Sequence, residues 1–216
     1  MSQKKKVYLV ANAHLDTQWN WTVKDSIRTC IRKTLEENLD LIEKFPHYRM
    51  NFEGAIRYRL AKEYYPDLYE KMKARIAEGR WNVAGAFWDA CDVNTPSSEA
   101  LMRQVLLGNG YFEKEFGKRS YDIFLVDCFG FRHALPSIGA HMGLKGFSTQ
   151  KLNWGVGTPI LVEGGEALRP VPDETSPRMD LGKWVGPDGN YLVACFNENF
   201  YSYHFEHYGE DPINQR

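Results

Sequence analysis

The chain has 216 residues, 43% of them hydrophobic and 25% charged, and a formal net charge of −1. That is a globular composition with enough chain for a real core, in one large domain or two small ones, and it excludes a disordered tail-like protein. Near-neutral charge gives no support to a nucleic-acid or anionic-membrane partner, and no apolar run approaches the length of a membrane span. The run Lys4-Lys5-Lys6 is short and reads as a solvated terminus. Cys30, Cys91, Cys128 and Cys195 are scattered and form no CxxC, and the chain opens without a signal-peptide pattern. Both features fit a cytoplasmic protein with free thiols.

In chain order, Val7-Tyr8-Leu9-Val10 reads as a buried strand that runs on towards His14 and Asp16. Residues two apart on an extended backbone share a face. His14 and Asp16 would thus aim an imidazole and a carboxylate at one spot, and both are good ligands for a divalent metal, zinc above all. Taken alone, the pair reads as well as a loop-capping His followed by an N-cap Asp. Trp19 and Trp21 follow at once.

Thr22 to Phe45 carries Ile27, Ile31, Leu35, Leu39 and Ile42 at spacings of three and four, which predicts a helix with one apolar face, ended by Pro46. Tyr48 to Glu53 reads as a second strand finishing at a carboxylate. A helical stretch from about Ile56 to Glu78 follows, with Pro66 as its candidate break and Gly79 as its stop. Trp81 to Trp88 reads as a third strand, followed by Asp89 and Asp92. Ser97 and Ser98 open a helix to about Phe116, stopped by Gly117. Tyr121 to Val126 is a fourth strand ending at Asp127. A short helix, about Leu135 to Met142, leads to a fifth strand, Gly146 to Lys151.

This is the βα rhythm of a parallel sheet or barrel, in which ligands lie at the carboxyl ends of the strands. His14, Asp16, Glu53, Asp89, Asp92, Asp127 and Lys151 fall there. Glu53, Asp89 and Asp92 read equally as substrate contacts or as loop caps. Trp81 and Trp88 read as core, Tyr64 and Tyr65 as helix packing, and His133 and His141 as helix-surface residues. Beyond Asn153 the chain is rich in Gly and Pro, and Pro187-Asp188-Gly189 reads as a turn between two short strands. The tail is polar and aromatic, and His204 and His207 read as loop residues. No packed element closes a barrel, so the chain reads as the front portion of a larger protein.

Ala13-His14-Leu15-Asp16-Thr17-Gln18-Trp19, Val126-Asp127-Cys128-Phe129-Gly130 and Thr149-Gln150-Lys151-Leu152 resemble the motifs of family 38 glycoside hydrolases, the α-mannosidases, in the bacterial, cytosolic variety. Gly79-Arg80-Trp81, Ser98-Glu99 and Arg103-Gln104 are similar as well. The likeness spans most of residues 7 to 155 and, more weakly, the turn from Trp184 to Gly189.

The resemblance implies an irregular, seven-stranded parallel β/α barrel of the α/β class. The chain would be the N-terminal part of that catalytic domain, with the downstream β-rich domains absent. It also implies a retaining α-mannosidase with one Zn2+, other divalent ions being conceivable, acting on a mannose-containing oligosaccharide or glycan. His14, Asp16 and Asp127 would bind the metal and Asp127 would be the nucleophile. Trp19 would stack on the sugar, Phe129 would line its pocket, and Lys151 would contact substrate; Asp92 stands with them as a candidate substrate contact from its place after the third strand, not from the resemblance. A fourth metal ligand and the general acid have no match before Arg216, so the chain alone is expected to turn over little or no substrate. A homo-oligomeric state is left open.

Two rival readings belong beside this one. An amidohydrolase would carry His-x-His on its first strand, where Asp16 stands here, and a deacetylase would carry His-x-x-x-His, which does not occur. A non-catalytic sugar-binding domain would show neither metal nor covalent labelling at Asp127.

Overall fold

The computed structural model describes residues 11–150 and 181–196, together with the short strand pair 160–161 and 167–168. The strand expected at Val7–Val10, the basic run at 4–6, Lys151, His204 and His207 lie outside the described residues.

Strand β1 (Ala11–Ala13) leads through the His14–Asp16 segment to a helix in three parts: α1 (Val23–Asp25), a π-helical turn (Ser26–Ile31) and α2 (Arg32–Lys44). Thr22 caps it in a box, its side chain accepting from the Asp25 N–H while the Asp25 carboxylate accepts from the Thr22 N–H. All five residues of the expected apolar face, Ile27, Ile31, Leu35, Leu39 and Ile42, are buried. Phe45 leaves the helix in an extended conformation, as the following Pro46 requires.

Then come β2 (Met50–Glu53), α3 (Ala55–Tyr64), α4 (Pro66–Ala77) and β3 (Trp81–Ala84). Pro66 does break the long helical stretch, starting α4 at the position where a missing N–H costs nothing. Trp81 is core and Trp88 packs partly buried against it. Tyr65 packs half-buried and donates to the Ile27 carbonyl at 2.8 Å, whereas Tyr64, expected to pack, is 50% exposed because it falls on the outer side of α3.

Helix α5 (Ser98–Phe116) is capped by Ser97 and closed by Gly117 in the left-handed region. Strand β4 (Asp122–Phe124), helix α6 (Leu135–His141) and strand β5 (Gly146–Thr149) follow. The two-residue strands β6 (Ile160–Leu161) and β7 (Ala167–Leu168) pair antiparallel. Strands β8 (Leu181–Val185) and β9 (Tyr191–Phe196) form the hairpin expected around Pro187-Asp188-Gly189.

Strands β1, β2 and β3 make one parallel sheet in that order. The second sheet has the order β4-β5-β9-β8, parallel except for the antiparallel edge β8. Between β3 and β4 there is no ladder, but the sheets meet. The Ala86 N–H donates to the Asp122 carbonyl at 2.8 Å and the Gly85 N–H to the Asp122 carboxylate at 3.3 Å. Burial pushes that carboxyl above its ordinary pKa although Ser120 and Gly85 donate to it. The fold is thus mixed α/β with parallel sheets, and among the described residues the sheets do not close into a barrel. Each sheet has its own core: Phe52, Tyr58, Trp81 and the first helix on one side, and Ile123, Phe147, Leu192 and α6 on the other.

Candidate active site

The carboxyl end of β1 delivers His14 and Asp16, and the chain after β4 delivers Asp127. The His14 Nε2 lies 3.6 Å from Asp16 Oδ1 and 3.7 Å from Asp127 Oδ2. One ligand atom from each of the three residues falls within a sphere of mutual distances no greater than 4.8 Å. Donors held about 2.0–2.2 Å from a tetrahedral Zn2+ stand roughly 3.4 Å apart, so these spacings fit a single cation. One neutral nitrogen with two carboxylate oxygens is also a suitable donor set for zinc, and leaves a position open.

The other ring nitrogen, Nδ1, sits 2.5 Å from Glu53 Oε1 at the end of β2. Glu53 is buried, and its charge shapes the imidazole. Burial alone would lower the His14 pKa, but the hydrogen bond and the negative charge of Glu53 outweigh it and raise the value above 6.5. A carboxylate behind a histidine ligand is the usual device for orienting the ring and strengthening it as a donor.

The three residues open on a cavity of about 360 Å3, which is within the range of about 300–1,000 Å3 typical of small-ligand clefts. Ala90, Cys91, Asp92, Asn94, Cys128 and Phe129 complete its wall. Asp92 accepts from the Asn94 N–H at 2.8 Å and the Thr95 hydroxyl at 2.5 Å, which hold its carboxyl below the usual range. It therefore caps its loop and faces the cavity at once. Phe129 lines the cavity and is 73% exposed. Trp19 stands outside the lining, 67% exposed, with its ring edge-to-face against Trp21 at 5.5 Å. Burial pushes the Cys91 thiol up to about 11 and the Cys128 thiol up to about 12, so both remain protonated.

Asp89 has a different place from Asp92. Its carboxylate pairs with Arg57 at 3.2 Å and accepts from the Thr17 hydroxyl at 2.8 Å and the Ala90 N–H at 2.8 Å, and it does not line the cavity. Arg57 and Thr17 are residues that motif spacing did not single out. The available signal was an arginine on the same helical face as Ala55, Tyr58 and Ala61, a position that a solvated charge would avoid. His133 and His141 are both exposed; His141 ends α6, as expected of a helix-surface residue, and has a partner in Asp188 at 3.1 Å, whereas His133 lies in the turn before the helix.

Residues 4–212 match the model of the N-terminal domain of glycosyl hydrolases family 38. The chain belongs to that family. It is 37% identical over 149 residues to α-mannosidase G of Dictyostelium discoideum, covering 69% of this chain and 14% of that protein. It is 32% identical over 189 residues to an α-mannosidase of Saccharomyces cerevisiae, covering 87% and 16%. The chain therefore spans about a seventh of the length of these curated relatives. In fold it resembles the crystal structure of an α-mannosidase from Enterococcus faecalis, with a TM-score of 0.73 at 24% identity, over 92% of this chain and 21% of that one. Among the described residues no helix is long and apolar enough to cross a membrane.

Proposed function

We propose that this chain supplies the metal-binding and nucleophile side of a retaining, zinc-dependent α-mannosidase, acting on terminal α-D-mannosyl residues of glycans or oligosaccharides in the cytoplasm. The convergence of His14, Asp16 and Asp127 on one cavity carries this reading, because it joins a metal donor set to a carboxylate that lines a ligand-sized cleft. All three residues lie within the stretch that matches the family 38 N-terminal domain. On this reading the two open sheets form part of a β/α barrel.

Bound zinc would act as a Lewis acid and a template for sugar hydroxyls. His14 and Asp16 would hold it, and Asp127 would serve both as ligand and as nucleophile. The Asp127 carboxylate attacks the anomeric carbon, the glycosidic bond breaks, and a glycosyl-enzyme ester forms that water then hydrolyses. Phe129 would cover a sugar face at the cavity rim, and Asp92 would accept from a sugar hydroxyl. Trp19 and Lys151 are assigned to substrate contact by family resemblance. A general acid is assigned to no residue of this chain.

The test is exposure of the zinc-loaded protein to an activated fluorinated mannosyl fluoride, followed by intact-mass analysis and peptide mapping. The reagent carries its own leaving group, so adduct formation does not need the general acid. One mannosyl adduct on Asp127, absent from Asp127→Asn, is the expected result. A zinc-loaded protein that stays unlabelled, or is labelled elsewhere, would overturn the assignment.

A further inference from the structure

We propose that Glu53 is a positioning residue for His14, and that a strut built on the buried Arg57, with the half-buried Asp89 and Thr17, holds the whole His14–Asp16 segment in register with it. The inference rests on the metal-site reading above and concerns what makes that site rigid. An ionised carboxylate only accepts hydrogen bonds. With Glu53 Oε1 at 2.5 Å, an ionised Glu53 selects, for the neutral imidazole, the tautomer with its proton on Nδ1. Nε2 is thereby left as the ligand nitrogen, and it is Nε2 that faces Asp16 and Asp127. Glu53 thus selects which ring nitrogen is offered and fixes the plane of the ring.

Arg57 secures this from behind. Its side chain is 1% exposed, and its Nε donates to the Leu15 carbonyl at 2.9 Å, with Nη2 donating to the same oxygen. Nη1 donates to the Glu53 carbonyl at 3.3 Å and pairs with Asp89 at 3.2 Å. The guanidinium occupies the space a Cβ on residue 54 would need, and Gly54 has φ +76°, so glycine is required there twice over. Asp89 in turn receives the Thr17 hydroxyl. The strut therefore grips the chain at Leu15 and at Thr17, one residue on either side of Asp16. Segments following β1, β2 and β3 are joined into one frame, and both ligands from the first sheet are set by it.

The experiment measures zinc affinity of the metal-free protein by chelator competition, and the visible absorption of its cobalt(II) form, for the wild type, Glu53→Gln, Glu53→Leu and Thr17→Val. A histidine that loses its carboxylate partner typically binds metal about 10–100-fold more weakly. Glu53→Leu should show that loss and a shifted cobalt spectrum. Glu53→Gln, which retains an acceptor, should recover part of the affinity. Thr17→Val should weaken binding a few-fold, and because it is near the surface it remains informative if Glu53→Leu fails to fold. Folded variants that bind zinc as tightly as the wild type, with an unchanged cobalt spectrum, would overturn the positioning role and leave the metal site standing. A wild type that binds neither metal would instead remove the metal reading, and this inference with it.

Discussion

Two glycines on α5 should respond to the same substitution with opposite signs. A Cβ on Gly108 would stand 2.6 Å from the Phe87 carbonyl carbon and 2.8 Å from its oxygen, and closer still to the Ala86 oxygen. All of these are backbone atoms that no rotamer change can move aside. A Cβ on Gly110 would meet nothing within 4 Å. Alanine is preferred to glycine inside a helix by about 0.8–1.0 kcal/mol. Gly110→Ala should keep most of that gain. At Gly108 the gain is opposed by overpacking of about 1–3 kcal/mol, at the upper end here because backbone must yield on both sides. The net expectation is a loss of about 2 kcal/mol for Gly108→Ala. The yielding segment lies between β3 and the loop carrying Asp89 and Asp92, so zinc affinity should fall with stability. Urea unfolding of the two variants is the assay. With an m value of about 2 kcal/mol/M, the Gly108→Ala midpoint should drop by about 1 M while that of Gly110→Ala rises by a few tenths. Equal shifts for the two would refute the close approach of α5 to the chain after β3.

Tyr58→Phe should cost about 1–3 kcal/mol, since the buried hydroxyl donates to the Phe52 carbonyl at 2.7 Å and accepts from Trp81 Nε1 at 3.2 Å, and the variant removes both of these buried hydrogen bonds. Urea unfolding reads the loss, and an unchanged midpoint would sink it. Asp188→Asn should lower the melting temperature at neutral pH. The Ser137 hydroxyl first, and Asn190 and His141 with it, hold the Asp188 carboxyl well below its ordinary 3.8. A depressed carboxylate contributes stability that is present above 3.8 and is lost as pH falls towards the folded value, so the difference between wild type and variant should shrink on acidification. A gap that stays constant or widens would show that the charge on Asp188 does not hold the hairpin turn to α6.

The parts of this fold that follow local periodicity were legible. The face from Ile27 to Ile42 is buried because residues three and four apart coincide on a helix, and Pro187-Asp188-Gly189 turns because those residues suit no continuing strand. The collection of acids at strand ends was legible for the same reason. Three features were not. The helix carries a π turn at Ser26–Ile31, where the Ser26 hydroxyl bonds to the Asp16 and Thr17 carbonyls at 3.2 and 3.0 Å, a tertiary contact without periodic signature. Trp81 to Trp88 reads as one apolar strand, yet pairing ends at Ala84, because Gly85 takes φ +68° and turns the chain across to Asp122. Asp89 and Asp92 look alike in sequence, and only the buried Arg57, arriving from α3, draws one of them away from the cavity.

That break after Ala84 bears on why the site lies where it does. Ligands in parallel α/β folds favour the crevice where neighbouring strands part at their carboxyl ends. Here β3 and β4 are joined by the Ala86–Asp122 bond but not by a ladder, and the segments that follow both of them line the cavity. The chain after β3 supplies Cys91, Asp92 and Asn94 to one wall of the opening, and the chain after β4 supplies Asp127 and Phe129 to another. His14 and Asp16 come from the first sheet, whereas Asp127 comes from the second. A cation shared by these three residues would therefore bridge the two sheets across their seam. On the proposed metal reading, binding of the ion and alignment of the Asp127 carboxylate would be one structural event, since an ion held by His14 and Asp16 of the first sheet would also hold the carboxylate of the second.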